Sequence, residues 1–333
     1  MANLLAGLLA EHNLIFERRG RRLTLVGPGE PARAVELLRQ KISDPARKDI
    51  RVVTSTDGGF PELYSLDDWW RVSETGWFDE AILQNRFSTV FQPVVDTTIN
   101  RVFGHECLIR LESVRNLSGA EIVGAARLCN QVRRFDAHAR RLAILSAAER
   151  GGPGVFFINV LPESLYRPQR CLEDTLRAID ESGLQPSRFI FEVVSSGGVE
   201  PGHLRAIAEA VRSIGCAFGL DDVGSDTPTP RIISELRPEY IKLAAGLVGN
   251  VESPACASLV HRLTRAAEQT GTVTIAKNVE SARTMENLWL LGVQSMQGHF
   301  FGRPSPTPAP QPTDLLNLAS ALEPPALIPS RCN

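Results

Sequence analysis

Three things are scarce in this 333-residue chain: paired cysteines, one-sided charge and long apolar runs. The six cysteines (Cys107, Cys129, Cys171, Cys216, Cys256 and Cys332) show no C-x-x-C spacing. That pattern excludes a zinc knuckle and a small disulfide scaffold, and it fits a reducing compartment. Basic and acidic residues number 36 and 38, a formal net charge of -2, so the basic footprint of a general nucleic-acid binder is missing. No stretch approaches the roughly 18 apolar residues of a membrane span. Met1 to Ala10, MANLLAGLLA, is apolar but lacks a basic start and runs into Glu11 and His12. It is too short to span and a poor signal peptide, and it reads as an amphipathic first helix. A cytoplasmic protein without membrane or nucleic-acid partners is the expectation.

What is present is the composition of an ordinary globular protein, 43% hydrophobic and 22% charged. Residues 13–26 read as a hairpin with Gly20 in the turn between two arginine pairs. The arginine cluster reads as a solvated turn, with an anion site as the lesser reading. Pro31 can open a helix that places Ala34, Leu37, Leu38 and Ile42 on one face, and IRVVT (50–54) is strand-like. Residues 1–79 are therefore expected to form a small α+β module with a connector rich in tryptophan (Trp69, Trp70, Trp77). From 80 to 305 eight strand-like runs alternate with helix-length segments. They are STVFQPVV, HECLIRL, GVFFINV, RFIFEVV, CAFGLDD, EYIKLA, TVTIAKNV and SMQGHFF. Repeated βα units over that length favour a TIM-type (βα)8 barrel, an α/β fold, over an open sheet. The proline-rich tail, 306–333, should be extended or disordered, with a short helix over Leu315 to Leu322.

The organising stretch is CAFGLDDVGSD (216–226), an apolar run that ends on Asp221 and Asp222. By itself such a pair is most often a solvated strand-to-loop turn. Polar residues recur, however, near the ends of most other strands: Gln92, Glu106 with Arg110, Asn159, Glu192, Lys242, Lys277 with Glu280, and Gln297. Strand C-termini of a parallel barrel converge on the face where barrel enzymes keep their sites. Glu106, Asn159, Glu192 and Asp221 would form a hard-oxygen cluster suited to Mg²⁺ or Mn²⁺. Asp222 could bridge to a second ion, the arrangement that activates water on a phosphodiester. Lys242 would hold that water or neutralise phosphate.

In that order the motifs resemble the EAL domain, a barrel that binds and often hydrolyses cyclic di-GMP. FQPVVD (91–96) is similar to the opening Y-Q-P-I-V-D, and Glu106-Cys107-Leu108 stands at Glu-Ala-Leu, with Arg110 at the nucleotide-binding arginine. FINV (157–160), FEVV (191–194), LDDVGS (220–225), YIKL (240–243) and QGHFFGRP (297–304) follow the later motifs. The resemblance implies metal ligands at Glu106, Asn159, Glu192, Asp221 and Asp222, and catalytic roles for Glu106, Asp222, Lys242 and Glu280. It implies nucleotide contacts from Gln92, Leu108, Arg110, Asp136 and Gln297. The cofactor would be Mg²⁺ or Mn²⁺, or none.

Four departures gather around catalysis. Lys277 replaces the first glutamate of A-E-G-V-E, and Ser195 replaces the second acid of E-I-T-E. Gly224-Ser225-Asp226-Thr227-Pro228 replaces G-T-G-Y-S-S, and Ala244 replaces the aspartate of L-K-I-D. No diguanylate cyclase motif accompanies them. A Lys277 ammonium reaching Asp221, Asp222 or Glu192 would take a cation position and repel a divalent ion. The expectation is a degenerate member that receives cyclic di-GMP or regulates a protein partner, with weak or no hydrolysis. An active Mg²⁺/Mn²⁺-dependent phosphodiesterase and a nucleotide-free protein scaffold are the alternatives. A protein partner or a second copy could engage the N-terminal module or the barrel.

Overall fold

In the computed structural model, residues 1–25, 30–47, 50–54, 62–112, 117–194, 199–224 and 229–310 are described. Ser195, the 225–228 loop and the expected helix at 315–322 lie outside them. Two compact units are present. One holds Met1–Arg86 with Ala120–Gln131, and the other holds Phe87–Gly119 and the chain from Val132 onward.

The first unit begins with a helix, Ala2–Glu11, and an antiparallel hairpin of β1 (Phe16–Arg19) and β2 (Arg22–Leu25). Gly20 supplies the positive φ (63°) that the two-residue turn requires. Helix Glu30–Lys41 buries Ala34, Leu37 and Leu38 as its periodicity predicts, and Ile42 just beyond it is also buried. β3 (Arg51–Thr54) and β4 (Glu62–Ser65) form a second antiparallel pair, followed by helix Leu66–Leu83. The side chains of Trp69 and Trp70 lie outside the described residues; Trp77 meets Phe78 edge to face at 5.6 Å. Helix Gly119–Leu128, inside the span assigned to the barrel from sequence, belongs with this unit. It buries Ile122, Ala125 and Ala126, and Gln131 just after it donates to Asp79.

The second unit is a closed eight-stranded barrel: β5 (Phe87–Asp96), β6 (Arg101–Leu111), β7 (Val155–Val160), β8 (Phe189–Val194), β9 (Ala217–Val223), β10 (Tyr240–Leu243), β11 (Val273–Ala276) and β12 (Ser295–Gln297). All eight expected strands are present. The first runs antiparallel to both neighbours, β6 and β12, and the other six pairings are parallel. Its direction follows from its connection, since Thr97–Asn100 can close a hairpin but cannot carry a crossover.

The outward faces of the strands meet the helices in one continuous core that includes Phe91, Phe156, Phe189, Phe191 and Phe218. Inside the barrel, alternation produces two layers. Val94, Phe157, Ile190 and Ile275, with Phe103 and Tyr240 packed against them, form an apolar plug. Two residues beyond each plug position on the parallel strands comes a polar one: Asn159 after Phe157, Glu192 after Ile190, Lys242 after Tyr240, Lys277 after Ile275. On the reversed strand the polar residue precedes, as Gln92 does Val94. The plug closes one end of the barrel, and the polar layer faces the other.

Candidate active site

The polar layer is a network in which two lysines each span two carboxylates. The Nζ of Lys242 lies 2.9 Å from Glu106 Oε2 and 2.7 Å from Glu192 Oε2, with Lys242 and Glu192 both 1% exposed. Its ammonium also sits 4.7 Å from the centre of the Phe157 ring in the plug. Asn159 Nδ2 donates to Glu106 Oε1 at 2.8 Å, and Gln297 Nε2 donates to Glu106 Oε2 at 2.7 Å and to Gln92 Oε1 at 3.2 Å. Register brings these groups together, because Gln92 pairs with Glu106 and Asn159 pairs with Glu192. Gly219, paired with Glu192, leaves the space the carboxylate uses; a Cβ there would approach Glu192 Cγ to 3.2 Å.

Lys277 forms the second bridge, 2.8 Å from Asp221 Oδ1 and 3.1 Å from Asp222 Oδ1. Adjacent strand residues would point to opposite faces, but Asp222 has φ of 60° and Asn278, beside Lys277, has φ of 63°. The left-handed turn at Asp222 brings both carboxylates to one side as the chain leaves β9. A non-glycine residue in that region is uncommon, and such strain concentrates at functional sites.

Charge states follow from these contacts. Burial works against the Glu106 carboxylate, but Lys242 together with the Asn159 and Gln297 hydrogen bonds brings it down to about 2. Burial dominates at Glu192 and pushes it up to about 8 despite Lys242, helped by the negative Glu106 and Asp221. Burial opposes both ammonium groups, yet the surrounding carboxylates raise Lys242 and Lys277 above the ordinary lysine value. Both lysines are cations at neutral pH.

A cleft of about 180 Å³ opens over this layer, lined by Gln92, Glu106, Ala245, Lys277, Asn278, Gln297, Gly298 and His299. The wall at Gly298 is a close backbone crossing, where a Cβ would lie 2.0 Å from the Val279 carbonyl oxygen. Ala245, Asn278, Gly298 and His299 were missed from sequence, although Asn278 follows Lys277 and Gly298 follows Gln297. Arg110 is half-buried, donates to the Ile109 carbonyl at 2.8 Å and forms no ion pair among the described residues. Leu108 shares its face of β6 with Glu106 and Arg110. Besides Leu108 and Arg110, two expected site residues stand outside the network. Glu280 is exposed and makes no hydrogen bond or ion pair among the described residues. Asp136 is 2% exposed and accepts from the Leu161 N–H at 2.9 Å, from the Ser164 hydroxyl and from buried Arg140. Those bonds hold the loop that follows Asn159 and do not reach into the cleft.

The donor set does not fit a divalent-ion centre as the side chains stand. Lys277 holds the two aspartates, Lys242 holds the two glutamates, and no metal-binding group of three acidic, histidine or cysteine side chains occurs among the described residues.

A closed barrel with one reversed strand and a polar end of this make-up defines a family, and the EAL domain model matches residues 76–304. The chain belongs to the EAL domain family. It is 33% identical over 153 residues to the RNase E specificity factor CsrD of Escherichia coli, covering 45% of this chain and 23% of that one. It is 24% identical over 236 residues to the probable cyclic di-GMP phosphodiesterase PdeN of E. coli, covering 68% and 45%. The chain thus spans less than half the length of either relative. A standalone EAL protein from Vibrio cholerae, solved with cyclic di-GMP bound, superposes with a TM-score of 0.62 at 26% identity, covering 69% of this chain and 97% of that one. No helix among the described residues is long and apolar enough to cross a membrane.

Proposed function

We propose that this chain is a cyclic di-GMP receptor whose hydrolytic activity is weak or absent. The observation that carries the reading is the Lys277 bridge to Asp221 and Asp222. A lysine held as a cation cannot accept a proton from water, and loss of a general base typically slows a reaction by roughly 10² to 10⁴. The same ammonium, on the cleft wall, is a donor for a ligand phosphate. Arg110, which forms no ion pair among the described residues, offers a fork of donors for paired charge-assisted hydrogen bonds to that phosphate. Gln92 and Gln297 would orient the nucleotide against Glu106, and Lys242 keeps Glu106 ionised and fixed.

The phosphodiesterase reading is supported by Glu106, Asn159, Glu192, Asp221 and Lys242 standing in one layer, with Glu192 Oε1 buried and without a hydrogen-bond partner among the described residues. Calorimetry of cyclic di-GMP in EDTA, with product analysis in Mn²⁺, separates the two. Saturable binding in EDTA, weakened at least tenfold (about 1.4 kcal/mol) by Arg110→Ala, supports the receptor. Binding that needs Mn²⁺ and turnover near 1 s⁻¹, inside the ordinary enzyme range, would establish the enzyme. No binding under either condition would leave a protein-interaction role.

A further inference from the structure

The β1–β2 hairpin carries four arginines and no lysine around its turn: Arg18, Arg19, Arg21 and Arg22, all exposed. Residues 1–25 hold these four cations against Glu11 and Glu17, a local balance of +2 in a chain whose formal charge is -2. Arg19 lies directly opposite Arg22 in the ladder, a like-charge pairing that costs the hairpin stability. Neither side chain forms an ion pair among the described residues that would offset that cost.

The inner face of the hairpin packs on Leu9 of the first helix, and Arg18 Nη2 donates to Asn3 Oδ1 at 2.6 Å. That bond fixes the start of the helix beside the arginine turn. There Met1 and Leu4 are 52% and 55% exposed. The arginine turn is thus bordered by exposed apolar side chains on a helix whose outward face, Leu4 and Gly7, carries no charge until Glu11.

We infer that this tip is a peripheral docking surface for an anionic lipid bilayer. Guanidinium groups grip headgroup phosphates bidentately, and each basic residue near an anionic membrane adds to attraction. Apolar side chains beside them can enter the headgroup boundary, which a nucleic-acid surface would not reward. Such contact needs no spanning segment.

The test is co-sedimentation of the full chain with vesicles of phosphatidylcholine alone and of phosphatidylcholine mixed with phosphatidylglycerol. Binding should occur only with the anionic lipid and weaken as salt screens the charges. The double variant Arg19→Gln/Arg22→Gln should lose at least tenfold in partitioning. Its unfolding midpoint should stay level or rise, because the like-charge pair is relieved. Leu4→Asp, on an exposed position, should also weaken binding while cyclic di-GMP affinity stays unchanged. No sedimentation with anionic vesicles, or full binding by the double variant, would overturn the inference. So would salt-sensitive binding to a single-stranded RNA homopolymer without any to vesicles.

Discussion

At the scale of single residues, Lys242 decides how the barrel responds to pH. Glu106 falls from 4.5 to about 2 on folding, while Glu192 rises from 4.5 to about 8. The depressed group adds stability that is present above its unfolded value and lost as pH falls toward 2. The drop at Glu106 corresponds to about 3 kcal/mol. The raised group works in the opposite sense: between 4.5 and 8 the unfolded chain has given up the proton that buried Glu192 keeps, so stability declines as pH rises. Taken alone the pair would place a maximum near pH 4.5, but the stability held by buried His105 is lost below 6.5 and opposes the Glu192 slope there. Urea denaturation should therefore show the Glu106 loss most clearly below pH 4.5. Lys242→Met should cost about 3 kcal/mol and flatten the acid side, because it leaves a carboxylate buried without its cation. A variant that kept the wild-type acid slope would show that Asn159 and Gln297 alone hold Glu106 ionised. Most of this chemistry was legible in the sequence, because polar residues recur near the ends of most of the strand-like runs. The Lys277 bridge was foreseen as a charge argument. The backbone turn at Asp222 that makes it reach both aspartates was not, since a positive φ at aspartate leaves no mark on sequence pattern.

At the scale of elements, Asp136 shows where motif matching and physical role part company. Its position in sequence suggested a nucleotide contact. In the fold its carboxylate accepts the Leu161 N–H and lies beside Arg140, which also donates to Thr175 Oγ1 at 3.0 Å and to the Cys171 carbonyl at 3.3 Å. Asp136→Ala would leave a guanidinium 2% exposed without its counter-charge, a loss of about 3–5 kcal/mol. Chemical denaturation measures that loss. Where the variant is still folded, cyclic di-GMP affinity should change less than tenfold; a larger loss would return Asp136 to the nucleotide site. The reversal of β5 belongs to the same scale. Alternation identifies a strand without stating its direction, and only the short Thr97–Asn100 connection encodes it.

At the scale of the whole chain, sequence divided the protein near residue 80, and composition gave no sign that helix Gly119–Leu128 clusters with the N-terminal unit. The first residues of the proline-rich tail, as far as Pro310, lie as a strap on the barrel. Phe91 and Ser305 exchange backbone hydrogen bonds of 2.7 and 3.0 Å, and Pro308 packs so near Gly152 that a Cβ there would meet it at 2.7 Å. Beneath lie Phe91 and His105, both 0% exposed, on the antiparallel β5–β6 pair. The His105 ring stacks on Phe156 and faces the backbone of Pro153 and Ala309. Burial lowers its pKa, with Arg188 acting in the same direction. A histidine held neutral by burial contributes stability that is present above its unfolded value of 6.5 and lost as pH falls below it. Ending the chain after Pro304 should therefore do two things. The two backbone bonds and the cover over Phe91 go, costing about 3 kcal/mol in urea denaturation. The His105 imidazole, now wetted, should titrate closer to 6.5 by NMR, and the part of the pH dependence below that value should diminish. A truncated chain with unchanged stability and an unshifted His105 would mean that Phe156 and the Pro153 turn bury the ring without the strap.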